Sequence, residues 1–164
     1  MAQLGHSVPH EETEGTLSVV FRAGSLLCAL RLDDVIETMR PLATRPLAGT
    51  PSFVRGICIM RGVPTPVVDV ACLLGGEQAE IIRFLAVRTE RGPVAFATGE
   101  VAGIRMTAAG GPTADGHTAL LTGASSRLVA GVGTIDTEPL LLLQSMRVVP
   151  DHVWAAAAGE AVPA

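Results

Sequence analysis

The stretch Gly56–Val70, GICIMRGVPTPVVDV, decides how the chain folds. Two apolar runs meet at Arg61-Gly62, a dipeptide suited to a tight reversal. Gly56–Met60 and Val63–Asp69 therefore read as adjacent strands. The second run carries Pro64 and Pro66 at alternate positions. Neither has an N–H, and a strand period of two puts both missing donors on one flank. Such a strand pairs fully on one side only, so it belongs at an edge, a bulge or a junction between lobes. Arg61 sits beside that incomplete flank. Its planar fork of donors suits a single carboxylate, and Glu37 is the one nominated. From the residues alone, Arg61 is open to four readings: ligand clamp, catalytic group, protein-contact residue or solvated turn. Arg61 and Glu37 read equally as a cross-strand pair or as two independent surface charges.

Outward from this joint the chain is punctuated in short steps. Residues 1–15 are polar and aperiodic, and read as a flexible N-terminal tail. Leu17–Ala23 and Leu26–Leu32 flank Gly24-Ser25 as a hairpin. Asp33-Asp34 opens a turn or a single helical turn, and Val35–Met39 resumes extended character before Pro41. Residues 41–55, with three prolines and a glycine, make a long connection of a kind seldom idle in a small domain. Val70–Leu74 before Gly75-Gly76 suits a brief helix with a glycine stop. Further strands are expected over Glu80–Thr89, Val94–Thr98, Val101–Met106, Arg127–Thr134 and Pro139–Leu143. The Gly-, Thr- and Ala-rich stretch 107–125 reads as a flexible excursion. After Gln144 the chain reads as helical through Met146–Val148 and as strand or helix around Val153-Trp154. Short strands at close spacing give an all-β architecture, with barrels favoured because closure removes edges.

Bulk properties narrow the function. The 164 residues are 48% apolar and 17% charged, which fits one packed domain, whole or split into two small lobes. Charges interrupt every greasy run well short of a spanning length, so no membrane insertion is expected. The N-terminus lacks a basic-plus-apolar signal, and a cytoplasmic protein is the default expectation. A formal charge of −4, no lysine and scattered arginines argue against nucleic acid as a partner. Cys28, Cys58 and Cys72 are widely spaced in apolar surroundings, and read as buried thiols rather than a metal or disulfide framework. His6, His10, His117 and His152 lie in tails or loops. Gly131-Val132-Gly133 lacks the rest of a dinucleotide fingerprint, and no phosphate loop, nucleophile elbow or zinc motif occurs. No catalytic residue, metal or cofactor is expected.

The residues now assembled resemble the CheW family of chemosensory coupling proteins. LSVVFRAGSLLCALRLDDVIETMRP is similar to the start of that family, with its V-x-E in Val35-Ile36-Glu37. TPSFVRGICIMRGVPTPVVDV looks like its most recognisable segment, with L-R-G in the form Met60-Arg61-Gly62. VACLLG fits the helix that follows, and LVAGVGTIDTEPLLLL resembles the late strand pair. The likeness covers about residues 16–149, leaving 150–164 as a C-terminal extension. Departures fall at Gly99 and Gly103, where acidic residues are common, and at Gln144.

The resemblance implies two five-stranded SH3-like lobes joined by short helical connections, with a groove between them. It implies a non-enzymatic chemotaxis adaptor, cytoplasmic and associated with membrane-bound receptor arrays. The partners it implies are the regulatory domain of a CheA-type histidine kinase and the cytoplasmic tip of a methyl-accepting chemoreceptor. Array-forming contacts with other CheW-like domains are a further expectation of the resemblance. Carried over by motif, Glu37 and Arg61 would lie at the receptor contact with Val35, Val101 and Ile104. Leu47, Phe53 and Val54 would face the kinase, although Phe53 and Val54 suit a core at least as well. The alternatives are a CheW-like regulator of a pathway other than chemotaxis, serving surface motility or development, and a small β-barrel enzyme or metabolite-binding protein.

Overall fold

Two-residue turns set the register of the hairpin pairs, Glu90-Arg91 between Thr89 and Gly92 among them. Gly24-Ser25 joins β1 (Thr16–Ala23) to β2 (Leu26–Arg31), with Gly24 at φ 63°. Arg61-Gly62 joins β4 (Val54–Met60) to β5 (Val63–Asp69), and both turn residues have positive φ, 51° and 81°. Asp136-Thr137 joins β9 (Val129–Ile135) to β10 (Glu138–Leu143), at 50° and 69°. Paired positive φ is the signature of a type I′ turn, whose twist matches the strands that it joins. The computed structural model describes residues 15–76, 78–108, 128–144 and 148–160. The expected helix at Met146–Val148 and the body of the 107–125 excursion fall largely outside them.

The remaining strands are β3 (Val35–Met39), after a single 3-10 turn at Leu32–Asp34, β6 (Arg83–Thr89), β7 (Gly92–Thr98) and β8 (Val101–Thr107). They form two five-stranded sheets. Lobe A has the order β8-β1-β2-β10-β9 and lobe B the order β3-β6-β7-β5-β4. Lobe A thus draws on both ends of the chain, and lobe B is inserted between its halves. Each sheet contains one parallel pair, β2 with β10 and β5 with β7. Among the described residues the sheet edges are not hydrogen-bonded into a ring, so the lobes are curled and SH3-like rather than closed barrels. In lobe A the curl brings β9 so close to the end of β8 that a Cβ on Gly133 would lie 2.6 Å from the Ala108 carbonyl oxygen.

The two prolines act as their chemistry requires. β5 is interior in the sheet order, but along Val63–Pro66 it pairs only with β4. β7 joins its other flank at Val67, just past the last proline. A helix, α2 (Asp151–Glu160), packs on β5, and its Trp154 and Ala157 line a groove with Val63 and Pro64. Asp69 ends β5 as the cap of α1 (Val70–Leu73). It accepts from the Cys72 N–H at 3.2 Å and binds Arg55 at 3.2 Å.

Strand alternation sorts the apolar residues into three cores. Val20, Leu27, Ala29 and Leu140 fill lobe A, and Cys58, Met60, Val67, Phe84, Ala86, Ala95 and Ala97 fill lobe B. The opposite faces of the same strands meet between the lobes, where Val19, Phe21, Cys28, Leu30, Leu85, Val87, Val94, Phe96 and Leu141 pack together. The central strands are therefore buried on both faces, which is why their sequences read as continuous apolar runs. Burial of a side chain as large as Phe96 is worth roughly 1.5–3 kcal/mol, so the largest core holds the lobes together as one unit.

The 41–53 segment is a strap pinned across the outer edge of β4. Arg45 and Ile57 exchange backbone hydrogen bonds of 2.8 and 2.9 Å. Gly56 sits beneath the strap at φ 139°, where a Cβ would lie 1.9 Å from the Arg45 carbonyl oxygen. Only glycine fits there.

Candidate functional site

Glu37 and Arg61 meet. The Arg61 Nε donates to Glu37 Oε2 at 2.5 Å and one terminal nitrogen donates to Oε1 at 2.7 Å, a two-point fork. Two local features aim them at each other. The β3–β6 register slips between Val35 and Glu37, which makes Ile36 the extra residue of a bulge. As a result Val35 faces Val87 in the inter-lobe core, while Glu37 faces Ala86 in the interior of lobe B. Arg61 follows Met60, another lobe B interior residue, in the β4–β5 turn. Since β3 and β4 are the two outermost strands of the lobe B sheet, the ion pair clips one side of the sheet to the other across the mouth of the lobe.

The electrostatics follow from this contact. The guanidinium, donating to the carboxylate, holds Glu37 below its ordinary carboxylate value, and Glu37 in turn raises Arg61. Both groups remain in reach of solvent, with Arg61 76% exposed. The pair is a charge arrangement beside apolar surface.

The apolar residues expected with them are dispersed along the lobe junction. Val35 and Val101 are half-buried at the rim of the inter-lobe core. Ile104 lies on the edge strand β8 and is 55% exposed. It pairs across to Val19, and Met106 pairs across to Leu17. The face that is core at Val19 and Phe21 therefore continues into an exposed patch of Leu17, Ile104 and Met106. Alternation of Ile104 with Met106 in β8 was the available sequence signal for that extension. Ile36 is exposed because of the bulge, which no local pattern announces.

Of the strap-side residues, Leu47 and Phe53 are half-buried against the inter-lobe core, and Val54 is buried within it. Val54 thus presents almost no surface, while Leu47 and Phe53 keep part of theirs. Ile59, exposed at the outer edge of β4, was not among the expected contacts and adjoins the strap. Ala43, Thr44, Arg45, Ile57 and Ile59 line a shallow groove there of about 260 Å³.

Elsewhere the chemistry is quiet. Burial pushes the Cys28 thiol up to about 12 and also raises Cys58, which leaves both as inert thiols. Among the described residues, no three His, Cys, Asp or Glu side chains gather as metal donors. Also among them, no helix is long and apolar enough to cross a membrane. The mouth of lobe A forms an open cleft of about 430 Å³, at which the buried hydroxyls of Ser18 and Thr107 satisfy each other at 2.8 Å.

The comparisons with known proteins agree with this architecture. The CheW-like domain family matches residues 18–152. Among solved structures, the chain is similar to the crystal structure of the scaffolding protein TtCheW from Thermoanaerobacter tengcongensis. That likeness has a TM-score of 0.66 at 19% identity and covers 83% of this chain and 92% of the other. A search of curated protein sequences gives no match.

Proposed function

The chain belongs to the CheW-like domain family, and on that premise we propose that it is a non-enzymatic adaptor. It couples the cytoplasmic tip of a chemoreceptor to the regulatory domain of a CheA-type histidine kinase, within cytoplasmic arrays at the membrane. The observation that carries the reading is the Glu37–Arg61 clip. It joins the two outermost strands of the lobe B sheet, which do not pair with each other, at the boundary of an apolar lobe junction. An arginine fork spent on a structural carboxylate leaves no catalytic group there, whereas a rigid charged rim beside exposed apolar residues is suited to docking a helix.

In this reading the receptor helix lies along Val35, Val101 and Ile104, with the clip at its side. The patch continues through Met106 and Leu17. The kinase domain approaches the strap through Leu47 and Phe53, with Ile59 as added apolar surface. Val54 acts from within the core by holding the strap's end. The pair and the patch need nothing from a metal or cofactor.

Co-sedimentation of the purified protein with receptor-tip and kinase-domain fragments tests the proposal. The expected result is a ternary assembly that Arg61→Glu weakens by about tenfold or more, as expected when a paired charge is replaced by a repulsive one. Wild-type protein that binds neither fragment would overturn it.

A further inference from the structure

The family match ends at His152, within the first turn of α2, yet the helix is tied to three parts of the fold. Its inner residues Val153 and Ala157, one helical step apart, are buried in the inter-lobe core. Its body packs on β5 and shares a groove with Val63 and Pro64, in the stretch that has no second strand partner. At the β6–β7 turn, Arg91 binds Asp151 at 2.6 Å and lies 5.7 Å from the Trp154 ring centroid, as a cation over an aromatic face. Trp154 also lies within 4 Å of where a Cβ on Gly92 would stand. At the strap, the His152 Nε2–H donates to the Gly49 carbonyl at 3.2 Å.

We propose that α2 is a strut that positions the 41–53 strap, with His152 and Trp154 as its positioning residues, and so sets the shape of the strap-side docking surface. The naming of that surface as kinase-facing rests on the function proposed above; the strut itself does not. Leu47 and Phe53 on the strap share the inter-lobe core with Val153 and Trp154. Tilting the helix therefore moves the floor under the strap as well as the Gly49 contact. The β6–β7 turn holds the helix at Trp154, so loosening that end is felt at the strap without touching a strap residue. Burial of Val153 and Ala157 makes α2 a fixed element, unlike a lid that must come away.

Hydrogen–deuterium exchange on the full chain tests this without any partner. The amides of Arg45 and Ile57, which pin the strap to β4, are the reporters. Trp154→Ala is expected to speed their exchange about threefold to tenfold, the scale of one or two modest contacts, while β1 and β2 amides hold. His152→Ala, which removes the hydrogen bond to the Gly49 carbonyl, gives a smaller increase confined to the strap. Unchanged Arg45 and Ile57 exchange in both variants would overturn the strut. Should Trp154→Ala loosen every strand alike, His152→Ala alone decides. In a second arm, strap-loosened variants lose kinase-domain binding and keep receptor-tip binding. Loss of neither, with the exchange effect intact, would leave the strut standing and remove the kinase from its description.

Discussion

In lobe A, Arg22 on β1 reaches across β2 to Glu138 at the start of β10, with contacts of 2.5 and 2.9 Å. In lobe B, Arg61 also grips Glu37 at two points, at 2.5 and 2.7 Å, but side-on through Nε and one terminal nitrogen where Arg22 uses both terminal nitrogens. The first pair staples strands that β2 already joins by backbone hydrogen bonds on both sides. The second spans the gap between β3 and β4, which are not paired with each other among the described residues. The backbone around them differs too. Arg22 sits in ordinary strand, whereas Arg61 occupies a positive-φ turn position that Asn or Gly would fit better. Exposed pairs contribute little to stability, so under the proposed function an arginine kept in an unfavourable backbone conformation serves the shape of lobe B rather than its stability.

The comparison can be broken first at the level of the whole molecule. If the lobes fold as one unit, Phe96→Ala in the shared core should cost about 3–5 kcal/mol. Chemical denaturation should then give one transition, the same by far-UV circular dichroism and by Trp154 fluorescence. Two separated transitions would show that the lobes are independent, and the comparison of their ion pairs would lose its common frame.

A smaller effect is expected at the strap. Gly56→Val drives a side chain into the Arg45 carbonyl, and overpacking of this kind costs typically ~1–3 kcal/mol. Exchange at Arg45 and Ile57 should rise sharply with lobe A protected as before. Equal loosening of β1 and β2 would contradict the strap's separate status.

Smaller still in stability, and the sharpest contrast in function, are changes at the two arginines. Arg61→Asn relieves the turn, so the thermal midpoint should hold or rise slightly while receptor binding falls. Arg22→Ala should lower the midpoint slightly and leave binding intact. Equal effects of both changes on binding would erase the distinction between staple and clip.

The least effect is the dependence on pH. Both carboxylates are held below their ordinary values, chiefly by hydrogen bonds from their arginines. Each therefore adds stability above its unfolded value and loses it as pH falls through the lowered folded value. The prediction is a shallow loss of stability below the usual carboxylate range, reduced in Glu37→Gln and Glu138→Gln. No change in that slope in either variant would show that other groups set the acid response.

Local features of this fold were legible in the sequence. Arg61-Gly62 and Gly24-Ser25 announce their hairpins because a two-residue turn depends on neighbours in the chain, whereas the last hairpin was read with strands one residue shorter on each side of its turn. The nomination of Glu37 for Arg61 rested on donor geometry and on a family likeness, and the two residues do meet. What did not show were pairings set by distant surface. β10 runs parallel to β2, and β7 lies beside the far half of β5. Pro64 and Pro66 signalled a missing partner, but not that a helix would pack on β5. The bulge at Ile36 turns Val35 and Glu37 to different cores, and neither residue's identity encodes that slip. Val153 and Trp154 read as strand or helix, because a mostly alanine segment has little periodicity until a surface selects one face.

The central claim is that the clip acts as a unit, holding the two edges of lobe B in the shape a partner reads. Exchanging its charges tests this most directly, by co-sedimentation with receptor-tip and kinase-domain fragments for Glu37→Arg, Arg61→Glu and the double variant. Each single change leaves two like charges across the mouth of lobe B and should weaken assembly by about tenfold. The double variant rebuilds the pair in reverse and should recover assembly to within about threefold of wild type, a difference under 1 kcal/mol. A double variant as weak as the singles would contradict the claim, and would mean that the partner contacts one of these charges itself.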